Sequence, residues 1–248
     1  MPVSEQLVYG IHAVSALLAS KHRAIKQLFI SKDRQDSRIK ELLSAAENKN
    51  LYVEMLACAK MDNKFSDIKH QGVVALAEKL PEYSERDLEH LLEKAKKPSL
   101  VLILDGVTDP HNLGACLRSA NAAGVDFVII PKDKSASITP VVSKVACGAA
   151  EAIPLVRVIN LVRAIEKLKQ HGIWVYGAAE DAKASLYALD GKDSVALVMG
   201  AEGQGMRRLT KEHCDALFSL PMHGTVSSLN VSVATGISLY EIVRQRHG

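Results

Sequence analysis

The stretch LVLILDGVTDPHNLGACLRSANAAGVDFVII, residues 100–130, decides the fold class. Residues 100–104 are an almost wholly apolar run closed by Asp105 and Gly106, the pattern of a strand covered on both faces. Leu113, Cys116, Leu117 and Ala120 then recur at helical spacing over 112–123, and Gly124 is a C-terminal stop. Residues 127–130 make a second buried strand. Strand, helix and strand within roughly thirty residues is the unit from which parallel sheets are built, so the class is α/β.

Working outward, the alternation continues on both sides. Towards the C-terminus, strands are expected at 174–178 and 195–199, helices near 140–147 and 161–170, and a last helix at about 230–246. Towards the N-terminus, the spacing predicts a helix over 10–18, a strand at 27–30, a helix carrying Ile39, Leu42, Leu43 and Ala46, a strand at 51–55, a short helix at 58–65 and a strand at 72–77. These form a small α/β unit of their own. Between them a charged helix shows Leu88, Leu91, Leu92 and Ala95 on one side and is bracketed by Pro81 and Pro98. The expected organisation is therefore a domain over 1–80, a linker helix over 81–98 and a domain over 99–248, the last able to fold alone.

The 248 residues suffice for a sizeable core, and 48% hydrophobic content fits a soluble protein. Only 4% of residues are aromatic, with Trp174 the single tryptophan, which leaves little for stacking single-stranded bases. The net charge of +3 permits a nucleic-acid partner. Its distribution is uneven: residues 1–80 carry 12 Lys/Arg against 9 Asp/Glu, residues 99–248 carry 15 against 14. Cys58, Cys116, Cys147 and Cys214 are widely spaced, which fits reduced thiols and no metal site. No apolar run reaches about 18 residues and no signal peptide is visible, so a cytoplasmic protein with no membrane contact is expected.

Three polar, glycine-bearing stretches each follow a probable strand of the second domain: DGVTDPHNLGACLRSA at 105–120, MGAEGQGM at 199–206 and MHGTVSSLNVSVATGISLY at 222–240. Loops at the carboxyl ends of parallel strands can share one pocket. The glycines Gly200, Gly203 and Gly205 run G-x-x-G-x-G, which is not the dinucleotide fingerprint and disfavours a nicotinamide enzyme. Glu202 is the only carboxylate among them. Asn112 falls at a helix start, where it reads as an N-cap, and Arg118 reads either as a solvated cation or as a planar fork for a phosphate. Ser227 and Ser228 precede an apolar-periodic run through Leu229, Val233 and Ile237, as hydroxyl caps of a core helix would. With Asn230 and Ser232 they crowd the positive end of a helix dipole, which suits an anion or developing negative charge.

Together, N-L-G-A-C-L-R at 112–118, M-G-A-E-G-Q-G-M at 199–206 and S-S-L-N-V-S-V-A at 227–234 resemble the three motifs of the SPOUT class of RNA methyltransferases, in its TrmH, or 2′-O-ribose, branch. The likeness extends to Y-G-I-H-A-V at 9–14 and H-Q-G at 70–72, and within the branch the chain is most similar to bacterial enzymes that methylate a guanosine ribose of 23S ribosomal RNA. The resemblance implies an RNA-binding N-terminal domain of the L30e type and a knotted catalytic domain with a deep trefoil. It also implies a homodimer acting on 23S ribosomal RNA or a pre-ribosomal particle. By the same likeness S-adenosylmethionine is held around Gly200, Leu220 and Leu229, while Asn112, Arg118, Ser228 and Asn230 match catalytic positions, with Glu202 a weaker addition. A guanidinium is effectively never deprotonated, so Arg118 is expected to hold the target phosphate and stabilise the developing alkoxide rather than act as a base, while Ser228 and Asn230 orient the hydroxyl. A transfer RNA ribose methyltransferase and a non-catalytic RNA-binding protein of the same fold are the alternatives.

Overall fold

The computed structural model describes residues 5–20 and 23–248, so the first four residues of the expected 1–80 domain, and residues 21–22, lie outside the described residues. In chain order the elements are β1 (Glu5–Tyr9), α1 (Ile11–Ala19), β2 (Ile25–Ser31), α2 (Ser37–Glu47), β3 (Val53–Leu56), α3 (Cys58–Lys64), β4 (Val73–Glu78), β5 (Tyr83–Ser84) and α4 (Leu88–Lys94). There follow β6 (Leu100–Asp105), α5 (Pro110–Ala122), β7 (Phe127–Pro131), α6 (Pro140–Val145), α7 (Ala149–Ala152), β8 (Leu155–Val158), α8 (Leu161–Gln170) and β9 (Trp174–Ala178). The chain ends with β10 (Ala184–Ser185), β11 (Val195–Gly200), α9 (Arg208–Glu212), β12 (Ala216–Ser219) and α10 (Val231–His247). They divide into two units: the described residues up to Pro81 with Ile138–Ala152, and Glu82–Ser137 with Ile153–Gly248.

The first unit is a sheet in the order β1-β4-β2-β3, antiparallel except for the β2/β3 pair. Successive side chains of a strand point to opposite faces, which sorts its core. Leu28, Ile30, Val73 and Ala75 pack with Val14 and Leu17 of α1 and Ile39 and Leu42 of α2. Phe29 and Val74, from the same strands, pack with Tyr9 and with Met61 of α3 and Phe65 on the other face.

Residues 138–152 belong to this unit, although the sequence reading assigns them to 99–248. Four features hold them there. Gln6 donates its side-chain amide to the Ile138 carbonyl at 3.2 Å, and the Lys144 ammonium sits 5.1 Å above the Tyr9 ring. Arg23, with a fully buried side chain, pairs with Glu151 at 2.5 Å and also donates to the Glu78 carbonyl and to Gln6 Oε1. Burial pushes the Glu151 carboxyl up, opposed by the Arg23 guanidinium. Gly148 has φ +95°, and a Cβ there would collide with Ala16 of α1, so a glycine is required for the close approach.

The second unit is an eight-stranded sheet in the order β10-β12-β9-β11-β6-β7-β8-β5, with every pairing parallel. All six residues of β6 are buried, as its unbroken apolar run requires. On one face Leu161, Ile165 and Leu168 of α8 pack on Val101, Ile103, Phe127, Val156 and Val198 together with Leu88 and Leu92 of α4. The stretch expected as a linker over 81–98 thus supplies an edge strand and core leucines: β5 pairs with β8, and Leu88 is completely buried. Apolar residues on one side of a charged helix mark a face that must be covered, and here the sheet covers it.

Candidate active site

Two parallel helices set the geometry. Asp109 caps α5, its carboxylate accepting from the backbone N–H of His111 at 3.1 Å and of Asn112 at 3.3 Å, with Pro110 in the first turn. Asn112 is therefore not the N-cap that its position at a helix start suggests; its side chain is free for other work. At the other helix the cap is Asn230, not Ser227 or Ser228: Asn230 Oδ1 accepts from Ser232 N–H at 3.0 Å and from the Ser232 hydroxyl at 2.6 Å. Cys116 of α5 donates its thiol to Thr235 Oγ1 of α10 at 3.6 Å, and Thr235 donates to the Val231 carbonyl. Burial pushes the Cys116 thiol up to about 11, so it stays neutral inside this contact. Pairing 112 with 230 and 116 with 235 runs the helices in the same direction, so their positive ends lie side by side.

Across that end the three polar stretches meet. Asn230 Nδ2 donates to Asn112 Oδ1 at 3.0 Å, and Asn112 Nδ2 donates to Glu202 Oε2 at 3.3 Å. Glu202 is held out by a short loop after β11, closed by Ala201 N–H to the Gly205 carbonyl at 3.0 Å and Gly205 N–H to the Ala201 carbonyl at 2.8 Å. Gly203 and Gly205 take φ of +75° and +65°, and a Cβ on Gly200 would strike the Gly205–Met206 peptide, so the loop folds back over Gly200 only because it is glycine. Buried Asp105, at the end of β6, anchors the loop's exit by accepting the Arg207 N–H at 2.9 Å.

Beside this cluster lies a cavity of about 410 Å³ lined by Gly200, Leu220 and Leu229, with Met199, Phe218 and Val231 behind them. The expected cofactor residues are thus brought to one cavity, which Glu202 and Ser228 also line. Its size falls within the range of about 300–1,000 Å³ usual for small-molecule sites. Arg118 is exposed and has no hydrogen-bond or ion-pair partner among the described residues; nothing ties it to the Asn112–Asn230 pair. Ser228 is likewise exposed and unpaired among the described residues. Val233 and Ile237, read as part of an apolar stripe, are 49% and 37% exposed because α10 turns Leu239 and Ile242 inward instead. Ser232 is absent from the expected catalytic residues, although it belongs to the polar cluster read at the start of this helix; its hydroxyl bond to Asn230 is what the pattern does not show.

The family described as SpoU rRNA Methylase matches residues 99–240, and the one described as RNA 2′-O ribose methyltransferase substrate binding matches residues 7–83. The chain is 55% identical over 239 residues to a Pseudomonas aeruginosa protein named 23S rRNA (guanosine-2′-O-)-methyltransferase RlmB, covering 96% of each. It is 52% identical over 241 residues to the Escherichia coli K12 protein of the same name, covering 97% of this chain and 99% of that one. Among solved structures, the SpoU methyltransferase AviRb from Streptomyces viridochromogenes, in complex with the cofactor AdoMet, matches with a TM-score of 0.81 at 25% identity, covering 98% of this chain and 90% of that chain.

Proposed function

Since the chain belongs to the SpoU rRNA methylase family, we propose that it transfers the methyl group of S-adenosylmethionine to the ribose 2′-hydroxyl of a guanosine in 23S ribosomal RNA. The observation that carries the reading is the meeting of Asn112, Glu202 and Asn230, from three separate stretches, at the rim of the cavity that Gly200, Leu220 and Leu229 line. Support for the substrate comes from relatives 52% to 55% identical over nearly the whole chain that carry the ribosomal RNA name.

The cavity fits the cofactor. A backbone exposed beside a glycine that admits no Cβ, with apolar side chains behind it, offers an adenosine main-chain donors and acceptors in an apolar slot. When bound, the cofactor supplies an electrophilic methyl on a sulfonium. The protein's task is then orientation and charge. Asn230 and Ser228 orient the ribose hydroxyl, and the paired positive ends of α5 and α10 stabilise negative charge developing on its oxygen. Arg118, exposed and unpaired among the described residues, grips the target phosphate. The reading assigns no metal to the site.

The same proposal includes a homodimer and a deep trefoil knot. Val233, Ile237 and Tyr240 form an apolar row on the outer side of α10, 37% to 52% exposed, which a second copy would cover. In favour of the knot, β11 lies between β9 and β6, and the segments after β11 and β12 both return to the one cavity. The first unit, up to Pro81 with residues 138–152, acts as the RNA-binding domain, and the second carries catalysis. A cytoplasmic location goes with the ribosomal substrate; no described helix is long and apolar enough to cross a membrane. Ribose-methylation mapping of total RNA from cells with and without the gene tests the reading. A single 23S guanosine mark is expected to vanish, and loss of a transfer RNA mark alone would overturn it.

A further inference from the structure

A carboxamide has two ends of nearly the same shape and opposite chemistry, so which end faces a substrate must be enforced by its neighbours. In the site described above the enforcement starts at Ser232. Its backbone N–H can only donate, and it lies 3.0 Å from the side chain of Asn230, so the atom it meets must be the oxygen. The Ser232 hydroxyl donates to the same Oδ1 at 2.6 Å, which occupies both lone pairs of that oxygen. Asn230 must then face Asn112 with its NH₂, at 3.0 Å, and Asn112 must receive it on oxygen. That leaves the Asn112 NH₂ towards Glu202, whose Oε2 accepts from it at 3.3 Å. The series starts from a group that can only donate, the Ser232 N–H, and one polarity satisfies every member down to Glu202.

We propose that Ser232 is a positioning residue that fixes this polarity, so that Asn230 and Asn112 each turn a remaining N–H, and not a carbonyl oxygen, towards the substrate. Capping α10 needs only the backbone N–H of Ser232; the hydroxyl is additional to the cap and doubles the hold on Asn230. Two N–H groups held in advance are suited to an oxygen that gains negative charge during reaction, whereas a flipped amide would aim a carbonyl at it. The use of those donors on a ribose oxygen rests on the function proposed above; the orientation itself does not.

The test uses the full chain. With ¹⁵N-labelled protein, the carboxamide resonance missing from Asn230→Ala identifies Asn230. Ser232→Ala is expected to speed exchange of its protons about tenfold and to slow single-turnover methylation at saturating RNA by a similar factor, the size that one hydrogen bond's net worth allows. S-adenosylmethionine affinity by calorimetry should be unchanged, since neither Ser232 nor Asn230 lines the cavity, and Ser232→Thr should restore both rates. Asn230→Asp replaces the needed donor with an acceptor. Its activity is expected to be low, because a carboxyl carries at most one proton and cannot donate both to Asn112 and to the substrate. Unchanged amide exchange in Ser232→Ala, or Asn230→Asp matching wild type at neutral pH, overturns the proposal. If wild type methylates no ribosomal RNA, the functional reading fails and the exchange measurement still decides the orientation.

Discussion

Arg118 stands on α5 with its guanidinium in solvent and no anion beside it among the described residues, although Asp and Glu side chains are plentiful elsewhere on the surface. A planar fork left open is suited to a bidentate partner that arrives with the substrate. Arg118→Ala is therefore expected to leave S-adenosylmethionine affinity unchanged while removing about 2.7 to 4 kcal/mol of transition-state stabilisation, the loss seen for one oxyanion donor. Single-turnover rates at saturating RNA measure it, and full activity would return the residue to the status of a surface cation. Arg118→Lys separates charge from shape: near-normal turnover means charge suffices, strong loss means the fork is needed.

At the scale of elements, the start of α5 shows how a cap sets a catalytic side chain. The His111 N–H, and after it the Asn112 N–H, hold the Asp109 carboxyl below its ordinary value of 3.8. A depressed folded value means that the cap's contribution is complete above the unfolded value and disappears as pH falls through the folded one. Asp109→Ala should cost about 1 kcal/mol at neutral pH, no more because the carboxylate stays half exposed, and the gap from wild type should close in acid. Denaturant midpoints at the two pH values check this; a gap that persists in acid would mean the carboxylate's charge is not what caps the helix. Sequence pattern puts this cap at Asn112 and that of α10 at Ser227 or Ser228, whereas Asp109 and Asn230 do the capping; at α10 the side chain of Asn230 is also bonded to Asn112, 118 residues away, which no local pattern shows. β6 and β7 were legible as apolar runs, since a strand covered on both faces has no polar position to interrupt it. β1, β8 and β12 carry too little pattern to be read from sequence: each is five residues or fewer, and Glu5 and Arg157 break the apolar pattern of the first two.

At the scale of the molecule, charge and proline placement suggested independent domains parted at a linker, and burial moves the boundary. A fragment over 99–248 would lack Leu88 and Leu92, two buried leucines each contributing roughly 1.5–3 kcal/mol. A fragment over 82–248 is expected to melt at a distinctly higher temperature, and equal thermal midpoints would show that α4 is dispensable. Residues 138–152 were beyond reach of sequence periodicity, because what assigns them to the first unit is the pairing of Arg23 with Glu151 across 128 positions. That assignment has a consequence in time. On the ribosome, the first unit remains incomplete until residue 152 has been made, 71 residues after Pro81. At elongation speeds of about 5–20 residues per second, this is a wait of roughly 4 to 14 seconds with Arg23 still without Glu151. The nascent chain spends that interval exposed to whatever chaperones attend it.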